Sequence, residues 1–311
     1  MTIAAIISLL QTALELGLIG SLTVMSLFLS YSMLNVCDLS TDGCFTLGAA
    51  VGAVVAISGH PILAIFAAMG AGILSGFITA LLQTKCGVDS LLAGIIVNTG
   101  LYSINIAIMG NSSLLNMNKT VTVFTMMNDL VKGTVLESYS RLIVIGLFVL
   151  LVAIILVLFL KTRLGLAIRA TGNNPAMVKS SSINPVMTTI IGLMVSCSFT
   201  GLSGCLMAQS QKSTNIDIGT GMLTIALASL LIGHTFLGRK SIPWRIFGSI
   251  LGAVIFRIIY MLALRMNMPA SMLKLVSSVI VVVTMCVPYF RSRLPLLKRR
   301  LELGKAGGRN A

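Results

Sequence analysis

The chain is a succession of long apolar runs separated by short polar loops. A helix needs roughly 20 apolar residues to cross the hydrocarbon core of a bilayer. Nine such runs lie at residues 14–35, 44–59, 62–82, 89–109, 142–160, 186–208, 221–237, 246–264 and 271–289. Charged residues make up only 10% of the chain, against roughly 25% in soluble domains. The pattern predicts an all-α polytopic transmembrane helical bundle of about nine spans, within a range of roughly eight to ten.

Two of these runs, 44–59 and 221–237, are short and rich in glycine and threonine. Such runs predict short, broken or re-entrant helices, which are frequent in transporters. No polar segment is long enough to form a separate soluble domain. We therefore expect one transmembrane domain over residues 1–290 and a basic tail over residues 291–311.

The net charge of +14 is distributed unevenly among the loops. If loop 161–185 is cytoplasmic, so are 36–43, 83–88, 238–245 and 290–311. That side then holds fifteen of the 22 Lys and Arg residues, and the opposite side holds five. Basic residues concentrate in cytoplasmic loops. The sequence thus predicts a multi-pass protein of a bacterial cytoplasmic membrane, with its N-terminus outside and its C-terminus inside, and no nucleic-acid binding.

A short motif of small residues occurs once in each half of the chain. Gly72 and Gly76 precede Asp89-Ser-Leu-Leu, and Gly248 and Gly252 precede Ala270-Ser-Met-Leu. The two glycine-bearing spans run in opposite directions in the predicted topology. This arrangement predicts an inverted repeat, a common design of transporters.

The loop 161–185 contains signals for a short helix of its own. Asn174 is a favourable N-cap and Pro175 a favourable first helical residue, which predicts a helix over residues 174–182. Gly172 would allow a sharp reversal of the chain just before it. From the residues alone, an ordinary loop helix and a docking element for another protein are equally acceptable.

The run from Gly165 to Pro175, Gly-Leu-Ala-Ile-Arg-Ala-Thr-Gly-Asn-Asn-Pro, and the following Ser-Ile-Asn resemble the cytoplasmic loop of ABC-importer permeases for branched-chain amino acids and ribose. Segments 39–50 and 91–105 are most similar to the branch associated with tryptophan and related amino acids. The resemblance implies a permease dimer, two cytoplasmic ATPase subunits and an external substrate-binding protein. It also implies that the ATPase contacts Gly172, Asn173, Asn174, Pro175, Ala176, Met177 and Lys179.

Several polar residues lie within the apolar runs. Asn98, Tyr102 and Asn105 share one helix face, which predicts either interhelical hydrogen bonds or a polar lining for solute. A second set at spacing four predicts close helix packing: Gly192, Ser196, Thr200 and Gly204. Asp38 and Asp42 precede a short span and predict either capping, which we favour, or an anion site. The candidate pathway residues are Asp42, Phe45, Asn98, Tyr102, Asn105 and Arg257.

Arg257 lies in mid-span, so its charge should face protein, an acidic partner or water, with Glu15 a possible partner. No catalytic constellation, metal site or cofactor motif is present in the sequence, and the six cysteines have no ligand spacing. We predict a transporter subunit, with ATP hydrolysis in a separate chain. An amino acid is the favoured solute, and a sugar or nucleoside is the alternative. A secondary transporter would need a titratable or ion-binding centre, and a membrane enzyme would need paired catalytic groups.

Overall fold

The computed structural model describes residues 3–132, 139–237, 241–265, 275, 278–283 and 286. The helices in these residues are α1 (Ile3–Leu27) with its π-helical continuation (Phe28–Met33), α2 (Thr41–Ile57), α3 (Pro61–Thr84), α4 (Ser90–Ile108), α5 (Val123–Val131), α6 (Ser140–Lys161), α7 (Arg163–Asn173), α8 (Pro175–Ser180), α9 (Pro185–Gln211), α10 (Met222–Leu237) and α11 (Ile242–Arg265). Two short strands, β1 (Leu114–Asn116) and β2 (Ser213–Asn215), pair antiparallel. The all-α bundle confirms the predicted fold class.

Among the described residues, six helices are long and apolar enough to cross a membrane: Ser8–Met33, Pro61–Thr84, Ser90–Ile108, Ser140–Lys161, Pro185–Gln211 and Ile242–Arg265. Helices α2 and α10 are also apolar but have only 17 and 16 residues. At a rise of 1.5 Å per residue each is about 25 Å long, less than the roughly 30 Å of a hydrocarbon core. The two predicted short helices are thus confirmed. The predicted run 271–289 lies mostly outside the described residues and the tail 291–311 wholly outside, so nine spans stay a prediction.

Helix α9 is the central element of the bundle. It packs against α2 and α3 on one side and against α1 on the other, and α1 in turn packs against α10 and α11. Helix α9, in the second half of the chain, therefore contacts the consecutive helices α2 and α3 of the first half. Helix α1, in the first half, contacts the consecutive helices α10 and α11 of the second half. This symmetric order of contacts is compatible with the predicted inverted repeat, which stays a prediction.

Small and hydroxylated residues hold α1 and α9 together. Ser26 Oγ lies 2.8 Å from Ser196 Oγ, and Thr200 Oγ1 donates to Ser26 Oγ at 2.8 Å. All three side chains are buried. Further along α9, a Cβ on Gly204 would clash with the backbone of Phe45. The predicted ridge of small residues is thus a packing surface, because only such residues let the helix backbones approach this closely.

A two-stranded antiparallel sheet and helix α5 cover one end of the bundle. Strand β1 follows α4 and strand β2 follows α9, and Val123 N at the start of α5 donates to Gln209 Oε1 of α9 at 3.0 Å. Thr122 and Thr125 form a reciprocal capping box at the start of α5. The sequence analysis predicted neither strand, since three-residue strands leave no periodic signal.

Candidate functional site

The carboxylate of Asp42 joins two helices. Asp42 lies in the first turn of α2, where its Oδ2 accepts a hydrogen bond from Gly221 N at 2.9 Å and its Oδ1 accepts one from Leu223 N at 2.7 Å. Both amides belong to the start of α10, whose first N–H groups have no partner within the helix. Gly221 has a φ of 84°, a left-handed conformation that glycine adopts without strain. Asp42 therefore caps α10 while belonging to α2.

Asp38 stabilises the turn that leads into α2. Its Oδ1 accepts hydrogen bonds from Ser40 N at 2.9 Å and Ser40 Oγ at 2.6 Å, and its Oδ2 accepts one from Cys197 Sγ at 3.3 Å. Asp38 and Ser40 are buried. The predicted loop at 36–43 is therefore largely enclosed by the bundle, and its cytoplasmic location stays a prediction. Capping by Asp42 is confirmed, but the capped helix is α10 and not α2.

A cavity of about 410 Å³ opens beside Asp42. Its lining consists of Asp42, Gly43, Thr46, Asn98, Thr99, Tyr102, Ser103, Asn105, Ile216, Asp217 and Thr220. We call it the Asp42 cavity. Its walls are α2, α4 and the segment between β2 and α10, and most lining side chains can form hydrogen bonds. The volume falls in the range of small-molecule sites, roughly 300–1,000 Å³.

The structure brings four of the six predicted pathway residues together in this cavity, three of them on α4. Asn105 Nδ2 donates to Gly43 O at 3.2 Å, and a Cβ on Gly43 would stand 2.5 Å from Asn98 Oδ1. Between these amides, Tyr102 is 51% exposed. The α4 face therefore forms the predicted interhelical hydrogen bond to α2 and also lines a cavity, whereas a lining for solute stays a prediction.

The loop between α6 and α9 presents a short exposed helix. Asn174 Oδ1 accepts hydrogen bonds from Ala176 N at 3.1 Å and Met177 N at 3.2 Å, and Pro175 is the first residue of α8. The predicted start is thus confirmed, although α8 ends at Ser180. Val178 is buried, while residues 173–177 and 179 are exposed. One apolar side chain thus anchors α8 and leaves the rest of its surface free for another protein.

The predicted chain reversal at Gly172 is wrong. Gly172 lies inside α7 in helical conformation, and a Cβ there would clash with the backbone of Met33 and Leu34 at the end of the π-helix. Its role is therefore close packing of α7 against α1's continuation. The reversal occurs two residues later, where Asn174 adopts an extended conformation between α7 and α8.

Comparison with known proteins now identifies the bundle. The sequence matches the family described as branched-chain amino acid transport system, permease component, over residues 9–285. This chain belongs to that family. It is therefore a multi-pass membrane permease of an ABC importer, and not itself a catalytic enzyme. Permeases of such binding-protein-dependent importers work with ATPase and substrate-binding partners.

The relatives of the permease differ in the solutes that their names state. It is 32% identical to the tyrosine transport system permease protein of Clostridioides difficile (strain R20291), over 86% of each chain. It is 29% identical to the ribose import permease protein of Escherichia coli (strain K12), over 70% of this chain and 66% of the relative. An uncharacterized protein of Rickettsia prowazekii is 29% identical, over 89% and 97%. No solved structure matches the permease.

Two predicted pathway residues lie outside the Asp42 cavity. Phe45 is fully buried beneath α9. Arg257 lines a separate narrow pocket between α1, α10 and α11, with its guanidinium 5.6 Å from the ring centre of Tyr260. Glu15 forms no ion pair with Arg257 within the described residues and instead accepts a hydrogen bond from Gln11 at 3.3 Å. Neither Phe45 nor Arg257 therefore shares a surface with the other four candidates.

The sequence analysis missed most of the cavity's other polar residues. Thr46 lies one turn after Asp42, and Thr99 and Ser103 directly follow predicted residues. Asp217 and Thr220 come from the segment before α10. An available signal was Asp217 itself, an acidic residue in a strongly basic chain, close to the turn-forming Gly219-Thr-Gly221. Their contact with α2 could not be predicted, because it joins segments that are far apart along the chain.

Proposed function

We propose that the permease imports an amino acid and that the Asp42 cavity is part of its path. The observation that carries this proposal is the meeting of two short helices at a cavity lined by hydrogen-bonding side chains. Helices that end inside the membrane commonly form transporter substrate sites. We favour an amino acid over a sugar because the tyrosine permease aligns with 86% of both chains, whereas the ribose permease aligns over 66% of its own length.

We further propose that the working permease is a homodimer. The face of α4 beside the cavity exposes Tyr102 and Ser103, together with Thr99, whose hydroxyl donates to Ile95 O within α4. Polar groups that face lipid lack hydrogen-bond partners, so such a face is unfavourable in a monomer. A second copy facing α4 would shield these side chains from lipid and leave the cavity open to the space between the two copies. Two cavities would then border one central path.

The proposed topology places the N-terminus outside and the C-terminus in the cytoplasm, with α8 on the cytoplasmic side. The ATPase would then contact the exposed residues around α8. The proposed contact residues are Gly172, Asn173, Asn174, Pro175, Ala176, Met177 and Lys179. Of these, Gly172 would act indirectly, since it packs against Met33 and Leu34. Movement of α7 would thereby reach the buried segment that leads from the π-helix to Asp42.

Transport by the reconstituted importer tests the solute. The permease, its ATPase and its substrate-binding protein would be combined in proteoliposomes, and uptake of radiolabelled L-tyrosine, L-leucine and D-ribose would be measured with and without ATP. We expect ATP-dependent uptake of an amino acid. A catalytically inactive ATPase serves as the control. ATP-dependent uptake of ribose without uptake of either amino acid would refute the proposed solute class.

The substitution Ala176→Glu tests the ATPase contact. A bulky charge on the exposed surface of α8 should release the ATPase or leave its ATP hydrolysis uncoupled from uptake, while the permease stays folded. Asn118→Glu, at an exposed position near β1, is the matched control and should transport normally. Normal co-purification and uptake by Ala176→Glu would show that the ATPase binds elsewhere.

A further inference from the structure

The Asp42 cavity is acidic in a chain that is strongly basic. The protein has eight Asp and Glu residues against 22 Lys and Arg. Two of the eight, Asp42 and Asp217, line this one cavity, and no Lys or Arg is found among its described lining residues. Carboxylates in a cleft with low-dielectric walls attract cations and repel anions. The cavity thus has the charge that suits a positively charged group.

Three side chains in the cavity retain oxygen acceptors that are available. Each carboxylate oxygen of Asp42 accepts one backbone N–H and retains a further lone pair. Asp217 is exposed at the rim and forms no ion pair within the described chain. Asn105 is only 1% exposed, and its Oδ1 has no hydrogen-bond partner in the structure as described.

The orientation of the Asn105 amide follows from its other contact. Its Nδ2 donates to Gly43 O at 3.2 Å, and the reverse orientation would place two carbonyl oxygens against each other. A buried acceptor without a partner is unfavourable by itself and requires a reason. Capping of α10 explains Asp42, but it explains neither the free Asp217 carboxylate nor the unpartnered Asn105 oxygen.

We propose that the Asp42 cavity binds the protonated amino group of the solute through Asp217, Asp42 and the amide oxygen of Asn105. This rests on the proposed function and narrows it, since it makes the amino group the recognised part of the amino acid. An ammonium group has three donors and no acceptor, which matches three acceptors. The hydroxyl groups of a neutral sugar could donate hydrogen bonds to the carboxylates, but they carry no positive charge for the two carboxylates to attract.

Thiol labelling tests the charge selectivity without knowledge of the solute. Thr99, exposed on the cavity wall, would be replaced by cysteine in the full importer, after Cys37, Cys86 and Cys286 are changed to serine; the other three cysteines are buried. We expect the cationic reagent MTSET to react faster than the anionic MTSES. Asp217→Asn should lower this rate ratio about fivefold to tenfold, as expected for loss of one charge at short range.

Asp129→Asn is the matched control, because it removes an exposed carboxylate that pairs with Lys132 on α5. It should leave the ratio at Thr99→Cys unchanged. An unchanged ratio in Asp217→Asn, or an equal change in Asp129→Asn, would overturn the proposal.

Protection from labelling tests recognition of the amino group itself. Tyramine should slow the reaction of MTSET with Thr99→Cys, while 4-hydroxyphenylpropionate, which lacks the amino group, should not. Protection by neither compound, or by the acid alone, would overturn the proposal. Neither labelling experiment depends on uptake. Failed amino-acid uptake would therefore count against the proposed function, whereas failed charge selectivity would count against this inference.

Discussion

The two short helices α2 and α10 meet at Asp42, yet the protein holds them in different ways. Residues 43–50 of α2 are all buried, since α2 lies between α9, α3 and α4. Helix α10 packs mainly against α11 and α1, and several of its residues are partly or fully exposed. Helix α2 is thus built into the centre of the bundle, whereas α10 is attached to it on fewer sides.

The glycines of the two helices also contact different parts of the bundle. A Cβ on Gly48 or Gly52 of α2 would clash with α9, and one on Gly233 of α10 would clash with the backbone of Gly248 on α11. The repeated motif also has unequal partners. Gly72 and Gly76 of α3 face the central helix α9, whereas the corresponding pair on α11 faces the neighbouring α10. Small residues therefore permit close helix contact without deciding which helix is contacted.

The largest expected effect is the loss of folded protein in Gly48→Leu. The added side chain would meet the backbone of Gly201, and no rotamer change can move a backbone aside at this buried contact. We expect no monodisperse permease by fluorescence-detected size-exclusion chromatography. Gly70→Leu on α3, where nothing lies within 4 Å of the added Cβ, should elute normally. If Gly48→Leu eluted as normally as Gly70→Leu, α2 would not be packed as closely as the structure indicates. The distinction between α2 and α10 would then be lost.

Asp42→Ala breaks the junction of the two short helices and should abolish most uptake. It leaves two N–H groups of α10 uncapped and should lower stability by about 1–3 kcal/mol. Asp89→Ala is the matched control, because Asp89 caps its own helix through Leu91 N at 2.9 Å outside the cavity. It should lose about 1 kcal/mol and still transport. If both variants took up solute equally well, the role of Asp42 would be limited to capping α10. Uptake assays and thermal unfolding measure the two effects.

Gly233→Ala and Gly248→Ala test the α10–α11 contact from its two sides. A Cβ on Gly233 would lie 2.5 Å from the carbonyl carbon of Gly248, whereas one on Gly248 would have its nearest neighbours at 3.1 Å. We expect Gly233→Ala to lower stability by about 1–3 kcal/mol and Gly248→Ala to lower it less. Thermal unfolding in nanodiscs provides the comparison. A larger loss of stability in Gly248→Ala than in Gly233→Ala would indicate that α11, and not α10, shifts to accommodate the added methyl group.

The smallest effect is expected at Gly20 of α1, where a Cβ would have open space. Alanine there should change stability by less than about 1 kcal/mol and favour the folded state, because glycine is the poorer helix former. The measurement is the unfolding temperature of Gly20→Ala beside that of the unchanged permease. A large loss would mean that the space beside Gly20 is filled in the assembled importer.

Local sequence signals predicted a good part of the molecule. Apolar run lengths gave the six long helices and the two short ones, since hydrocarbon thickness fixes how many apolar residues a span needs. Asn174 and Pro175 fixed the start of α8, because an N-cap acts on the amides two or three residues further along. The periodicity of a helix also placed Asn98, Tyr102 and Asn105 on one face.

What the sequence by itself determined is therefore the apolar helices and α8, the approximate lengths of the apolar runs and the residues on each face, all of which depend on neighbours a few positions away. Helices α5 and α7 were not predicted. Only the tertiary structure decided that Asp42 caps α10, that Gly172 packs against Met33, and that Asp217 joins the cavity. These contacts join residues far apart along the chain, 179 positions for Asp42 and Gly221. Glycine and serine allow many helix pairings equally, so the actual partner is selected only when the whole bundle packs.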